Sequence, residues 1–222
     1  MPAIVAFCYD RPVRLTRALL PCLLAALFLS RGAAAQSTTL TLDPSTGSLR
    51  VLLYKDGPLR ALGHDHALAA PAFQGQVELS SGSAQLMLTI DATKLVIDTA
   101  PVREEQGWSA LKDSDVESIN AGMRGPRGLD VKKYPQITFR SDTIEPVAGE
   151  KDLWEVTGRF SLHGTTQTID FPVTMTDGPG GKWFSGYVRL RQSEYGVKPF
   201  TVFGGAVSVK DEILVRFNLL GR

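Results

Sequence analysis

The sequence predicts an all-β fold: eight amphipathic strands closed into an antiparallel barrel, with a short helix in its longest loop. Three observations lead there. Apolar and polar residues alternate with period two over eight separate stretches. Most of these stretches are joined by short Gly- or Ser-containing turns, which suit antiparallel neighbours. Each stretch has one apolar and one mostly polar face, so one sheet face is buried and the other wet. Long strands in one meander leave open edges unless the sheet closes, and closure gives a barrel with an interior.

In chain order, "SLRVLLYK" aligns Leu49, Val51 and Leu53. "AFQGQVELS" aligns Phe73, Gly75, Val77 and Leu79, and "AQLMLTID" aligns Leu86, Leu88 and Ile90. "QITFRSDTI" sets Ile137 and Phe139 against Gln136, Thr138 and Arg140. "LWEVTGRFSLHG" aligns Trp154, Val156, Gly158, Phe160 and Leu162. "TTQTIDFPVTMTDG" aligns Ile169, Phe171, Val173 and Met175. "KWFSGYVRLRQ" aligns Phe184, Gly186, Val188 and Leu190, and "DEILVRFNLLG" aligns Ile213, Val215, Phe217 and Leu219. Three segments break the pattern: "PLRALGHDHALAAPA", the stretch 100–135, and "SEYGVKPFTVFGGA". Within the second, "SDVESINAGM" predicts a short helix with Ser114 as N-cap, acids in its first turn and Gly122 near its end.

Ahead of the first strand, residues 1–35 read as a cleaved secretory signal. Arg11, Arg14 and Arg17 precede the apolar run "ALLPCLLAALFL", and Ala33-x-Ala35 offers a small-residue cleavage site. That run is too short for a spanning helix, so no transmembrane segment is expected after cleavage. Residues 36–222 then form one domain. Losing Arg11, Arg14, Arg17, Arg31 and Asp10 shifts the formal charge from +1 to −2, and no basic stripe remains to suggest nucleic acid. Cys8 and Cys22 also leave with the signal, which excludes disulfides, thiolate nucleophiles and Cys metal ligands.

The order and spacing of four strings identify a family. "KKYPQITFRS", "VTGRFSLHGTTQTIDFPV", "RLRQSEYGV" and "VKDEILVRFNL" together resemble the YceI-like family of periplasmic lipid-binding proteins, also called polyisoprenoid-binding. The resemblance runs from about Leu42 to Leu219. It implies a lipocalin-like barrel holding a long isoprenoid chain, a periplasmic or secreted location, and often a homodimer. The ligand is the resemblance's contribution; alternation shows a buried face and not whether that face is filled.

The candidate residues follow. Phe73, Phe139, Phe160, Phe171, Val188 and Phe217 fall on the apolar faces of six strands, as lumen residues or as an ordinary core. Inward Gly75, Gly158 and Gly186 add no side-chain volume and lean toward a cavity. Tyr195 and Phe200 in the last long loop, with His64, are candidates for the mouth. His64 and His66 would share a face of an extended chain, and with His163 they are the reserve metal ligands. Two imidazoles alone hold metal weakly, and His163 sits in the family's "LHG" turn, which implies a structural role. Arg189, Arg191 and Lys198 read as solvated surface, or as a clamp for a phosphorylated head group. No nucleophile elbow or P-loop is present, and "DSDVE" lacks the Gly and distal Glu of a calcium loop. The expected function is therefore non-enzymatic carriage or sequestration of an isoprenoid-type lipid, with no other cofactor. The alternatives are a metal-binding barrel and a filled-core interaction module.

Overall fold

The computed structural model describes residues 37–222. The expected signal segment lies outside the described residues. The strands are β1 (Thr38–Asp56), β2 (His66–Ala69), β3 (Phe73–Ser80), β4 (Ser83–Asp91), β5 (Val96–Ile97), β6 (Gln136–Pro146), β7 (Leu153–Leu162), β8 (Thr165–Gly178), β9 (Gly181–Arg191), β10 (Thr201–Val202) and β11 (Val207–Gly221). Two helices, α1 (Ala100–Glu104) and α2 (Asp113–Arg124), lie between β5 and β6.

Eight long strands close in the order β1-β3-β4-β6-β7-β8-β9-β11, with β11 returning to β1. Every pairing is antiparallel. All eight match the alternating stretches, and their inward parity is the one the alternation predicts.

β1 is longer than the alternation predicts. Thr38–Thr41 pair with β3, and from Leu42 onward the strand pairs with β11. Within the pairing with β11 the register jumps between Asp43 and Ser48, where Pro44 has no N–H to give a ladder. The Asp43 carboxylate accepts from Ser45 N at 2.8 Å and from the Thr46 hydroxyl at 3.0 Å, closing the irregularity locally. Past the bend β1 and β3 diverge, and β2 takes the vacant edge of β1, pairing Arg50–Leu53 with His66–Ala69. β5 then pairs with β2.

The predicted helix is α2, with one correction. It begins at Asp113, and Lys112 is the N-cap, with no side-chain hydrogen bond; Ser114 lies inside the first turn. Asp113 and Asp115 in that turn oppose the helix dipole instead.

The outer face is not uniformly polar. Leu52, Ala67, Ala69 and Val102 form a small buried core outside the barrel, under α1. Arg50 clamps this element, donating to both Glu105 carboxylate oxygens at 2.7 and 2.9 Å.

Candidate functional site

The inner faces of the eight long strands enclose a cavity of about 440 Å³. Its walls are almost wholly aliphatic and aromatic; the polar side chains on them are His66, Ser118, Arg127, Gln192 and Lys198. Val51, Leu53, Leu88, Phe160, Ile169, Val188, Val215 and Phe217 line it and are only half-buried. In a filled core these inward residues would be sealed from solvent. The cavity reaches the surface beside Ser118, Gly122, Arg127, Lys198 and Phe200, all exposed and all on its wall.

α2 covers this end. Ile119 and Met123, four residues apart on one helix face, border the cavity, yet no α2 residue is fully buried. Polar contacts pin the helix instead. Asn120 accepts from Ile97 N at 3.1 Å and donates to Ile97 O at 2.8 Å, so its amide pairs with β5 as a strand residue would. Arg124 donates to Leu95 O at 2.7 Å.

Of the candidate lumen residues, Phe139, Phe160, Phe171, Val188 and Phe217 border the cavity. Phe139 and Phe171 meet at 5.4 Å between ring centroids, and Phe171 and Phe217 at 5.8 Å, which makes one wall a continuous aromatic band. Phe73 is buried in the packing of the core and is not on the cavity wall. Phe200 stands at the mouth. Tyr195 is buried against Phe160, with ring centroids 5.4 Å apart. Its hydroxyl is buried without a hydrogen-bond partner, and burial, together with the neighbouring Glu194, pushes its pKa up to about 12.

The inward glycines do something other than leave space. A Cβ on Gly158 would lie 2.6 Å from Phe139 Cζ, one on Gly186 2.7 Å from Phe217 Cζ, and one on Gly75 2.6 Å from Leu42 Cδ1. Each glycine lets a neighbouring side chain lie flat on the wall. The cavity survives because the rings are laid down, not because the glycines are empty.

The His-x-His pair is divided. The chain bends at Gly63, and His64 is exposed on the loop that follows, away from the cavity wall. His66 opens β2 and shares its inward face with Leu68 and Ala70. Its Nδ1 donates to Asp98 Oδ2. A carboxylate only accepts, so Nδ1 carries a proton, and the other ring nitrogen, Nε2, is not part of this contact. Asp98 is fully buried; its Oδ1 also accepts from Arg103 Nη1 at 2.8 Å and Ala67 N at 3.1 Å. Burial pushes the Asp98 carboxyl up, but the hydrogen bond and charge of His66, with the Ala67 and Arg103 donors, outweigh it and hold it below the usual range. Arg103, itself buried, is held further by Ser109 O at 2.6 Å and Asp65 O at 2.8 Å, beneath Trp108. The dyad supplies two of the three members of a Ser–His–Asp arrangement; among the described hydrogen bonds, no hydroxyl reaches Nε2.

His163 serves elsewhere, with Nδ1 3.3 Å from Tyr195 O and its ring 4.5 Å from that of Tyr134. Among the described residues, no three His, Cys, Asp or Glu side chains converge as a metal site. Arg189 and Arg191 are exposed, and Arg189 faces Glu212 at 3.4 Å. The cations at the cavity are Lys198 and Arg127. Sequence reasoning missed Arg127, the Asp98–Arg103 pair and the α2 lining. The only signal was the spacing of Ile119 and Met123; the other contacts join segments with no shared pattern.

A family profile described as YceI-like domain matches residues 40–220. A UPF0312 protein of Pseudomonas putida (strain W619) is 29% identical over 114 residues, covering 49% of this chain and 54% of the relative. Its counterpart in strain GB-1 is 28% identical over the same length. The chain thus spans about half the length of the curated relatives it matches. Among solved structures, BcnA of Burkholderia cenocepacia superposes with a TM-score of 0.60 at 22% identity, covering 80% of this chain and 98% of that one. The YCEI protein of Campylobacter jejuni gives 0.50 at 14% identity, over 70% and 84%. At such identities the likeness concerns the fold.

Proposed function

The chain belongs to the YceI-like family, and from that footing we propose that it binds a long-chain, isoprenoid-type lipid non-covalently in the barrel and carries or sequesters it in the periplasm. The single observation that supports this is the half-buried inner face around an apolar cavity of about 440 Å³. That volume is in the range of small-molecule sites, roughly 300–1,000 Å³. Each 100 Å² of apolar ligand surface removed from water contributes about 2.5 kcal/mol before the cost of association. Fit along the wall sets the affinity, and the few polar groups at the open end orient a head group. Lys198 and Arg127 suit a phosphate or pyrophosphate there. No catalytic step is part of this reading. The signal-like segment 1–35 supports export.

Native mass spectrometry of the exported protein, purified from a periplasmic extract without detergent, tests it. An adduct of several hundred daltons that vanishes on organic extraction is the expected result. A divalent-metal mass removed by chelator would support the metal reading instead. A bare polypeptide mass, unchanged after incubation with an isoprenoid alcohol or its phosphate, would overturn the proposal.

A further inference from the structure

Five large apolar side chains stand in solvent on two adjoining segments beside the cavity mouth. Phe203 is 77% exposed, Leu62 69%, Phe200 59%, Leu59 48% and Val202 36%. The segments 57–62 and 200–206 are tied together: Leu59 N donates to Ala206 O at 2.8 Å, and Val202 pairs with Val207 on β11. Phe203 is held at φ 51, followed by Gly204 at φ 66 and Gly205 at φ 95. A bulky residue in the left-handed region is strained, and strain of this kind collects where something other than stability is served. Here it displays the most exposed aromatic ring among the described residues to water.

We propose that this rim docks on an anionic lipid bilayer and lays the cavity mouth against the membrane surface. Three features select that partner. The patch is continuous with the lumen, because Phe200 belongs to both the exposed rim and the cavity wall. Its charge is complementary: the segments 57–62 and 196–206 carry Arg60 and Lys198 and no carboxylate, and Arg127 lies on the wall of the same mouth. This holds although residues 36–222 as a whole carry a formal charge of −2. The size also fits. The five side chains expose on the order of 500 Å², the size of the largest apolar patch on a typical monomer, and such patches are often functional. That is below the roughly 800 Å² per partner of a standard protein interface. Aromatic and aliphatic tips backed by cations are what partition into the head-group boundary of an anionic membrane.

The inference deepens the lipid-carrier reading by naming where the ligand is exchanged, but its test is separate. The full exported chain is floated with vesicles of phosphatidylcholine alone and with vesicles of phosphatidylcholine and phosphatidylglycerol in equal parts. The intact chain is expected to float with the mixed vesicles, more weakly with the neutral ones, and less as salt is raised. Phe203→Ser combined with Leu62→Ser is expected to lower partitioning more than about tenfold. Neither side chain borders the cavity, so native mass spectrometry of that variant should show unchanged lumen occupancy. Arg60→Glu should reduce binding to the mixed vesicles and leave binding to neutral ones unchanged.

The proposal is overturned if the intact chain floats with neither vesicle, or if the double variant floats as the intact chain does. It is also overturned if the intact chain is a dimer that the double variant splits and neither binds vesicles, since a second copy then covers the rim. A chain that keeps its lumen lipid but ignores vesicles would sink docking and leave the carrier reading intact. A chain that docks through the rim with an empty lumen would do the reverse.

Discussion

Asp98→Asn isolates the buried group that holds β2, β5 and α1 together. Asp98 accepts from His66 Nδ1, Ala67 N and Arg103 Nη1. Asparagine tolerates the left-handed backbone that Asp98 adopts at φ 57, so the change adds little strain. Its carbonyl can keep the Ala67 and Arg103 bonds. Its NH2 replaces Oδ2, and His66 must then present a bare Nδ1 and carry its proton on Nε2. What is lost is the negative charge, and Arg103, 5% exposed, is left without its buried counter-ion. Removing one partner of a buried pair costs about 3–5 kcal/mol, and the retained hydrogen bonds place this case near 3. For a chain of this size that is a fall in Tm of about 6–12 °C.

Urea denaturation followed by tryptophan fluorescence, with a thermal melt, reads the change. Asp98→Asn with Arg103→Met removes both charges, and the two effects should fall short of additivity by at least about 1 kcal/mol. The pH dependence has a definite sign. Asp98 is held below its ordinary value in the fold. Its contribution is therefore present above the unfolded carboxylate pKa of about 3.9 and lost as pH falls through the folded value. The gap between Asp98→Asn and the native chain should narrow only in acid. A variant within about 0.5 kcal/mol of the native chain at neutral pH, or a strictly additive double variant, would refute the reasoning.

Three further outcomes are expected. Val188→Trp points an indole into the lumen; lipid adduct measured by native mass spectrometry should fall sharply while stability changes by less than about 1 kcal/mol, whereas a filled core would lose about 1–3. Gly158→Ala should cost about 1–3 kcal/mol in a urea titration, because its Cβ would sit 2.5 Å from Arg140 O as well as against Phe139, whereas Gly122→Ala on α2 meets nothing within 4 Å and should gain about 0.5–1. Ser141→Ala should cost about 1–2 kcal/mol, since Ser141 Oγ accepts from Leu86 N at 2.8 Å where the β4–β6 ladder ends; hydrogen exchange at the Leu86 amide should accelerate.

Strand identity and inward parity were legible because each is a local property. Leu49, Val51 and Leu53 alternate with polar neighbours, and a pleat sends alternate side chains to opposite faces whatever the rest of the chain does. Closure followed from the count and length of such strands. The same logic placed Phe139, Phe160, Phe171, Val188 and Phe217 on the inner wall. It stopped where a residue's role depends on a partner distant in the chain. His64 and His66 look equivalent in sequence, yet His64 stays exposed on the loop after the bend at Gly63, and Asp98, 32 residues on, captures the other. Leu52 broke the alternation because α1 covers it from outside, which no local window contains.

Whether the interior is packed or hollow is likewise invisible to alternation. The pattern records which side chains face inward and nothing of how far apart opposite walls stand. That distance comes from closing eight strands with their particular stagger and from rings folded flat over Gly158 and Gly186. Apolar residues facing inward are chosen strand by strand; the space between them exists only after the last strand has paired with the first.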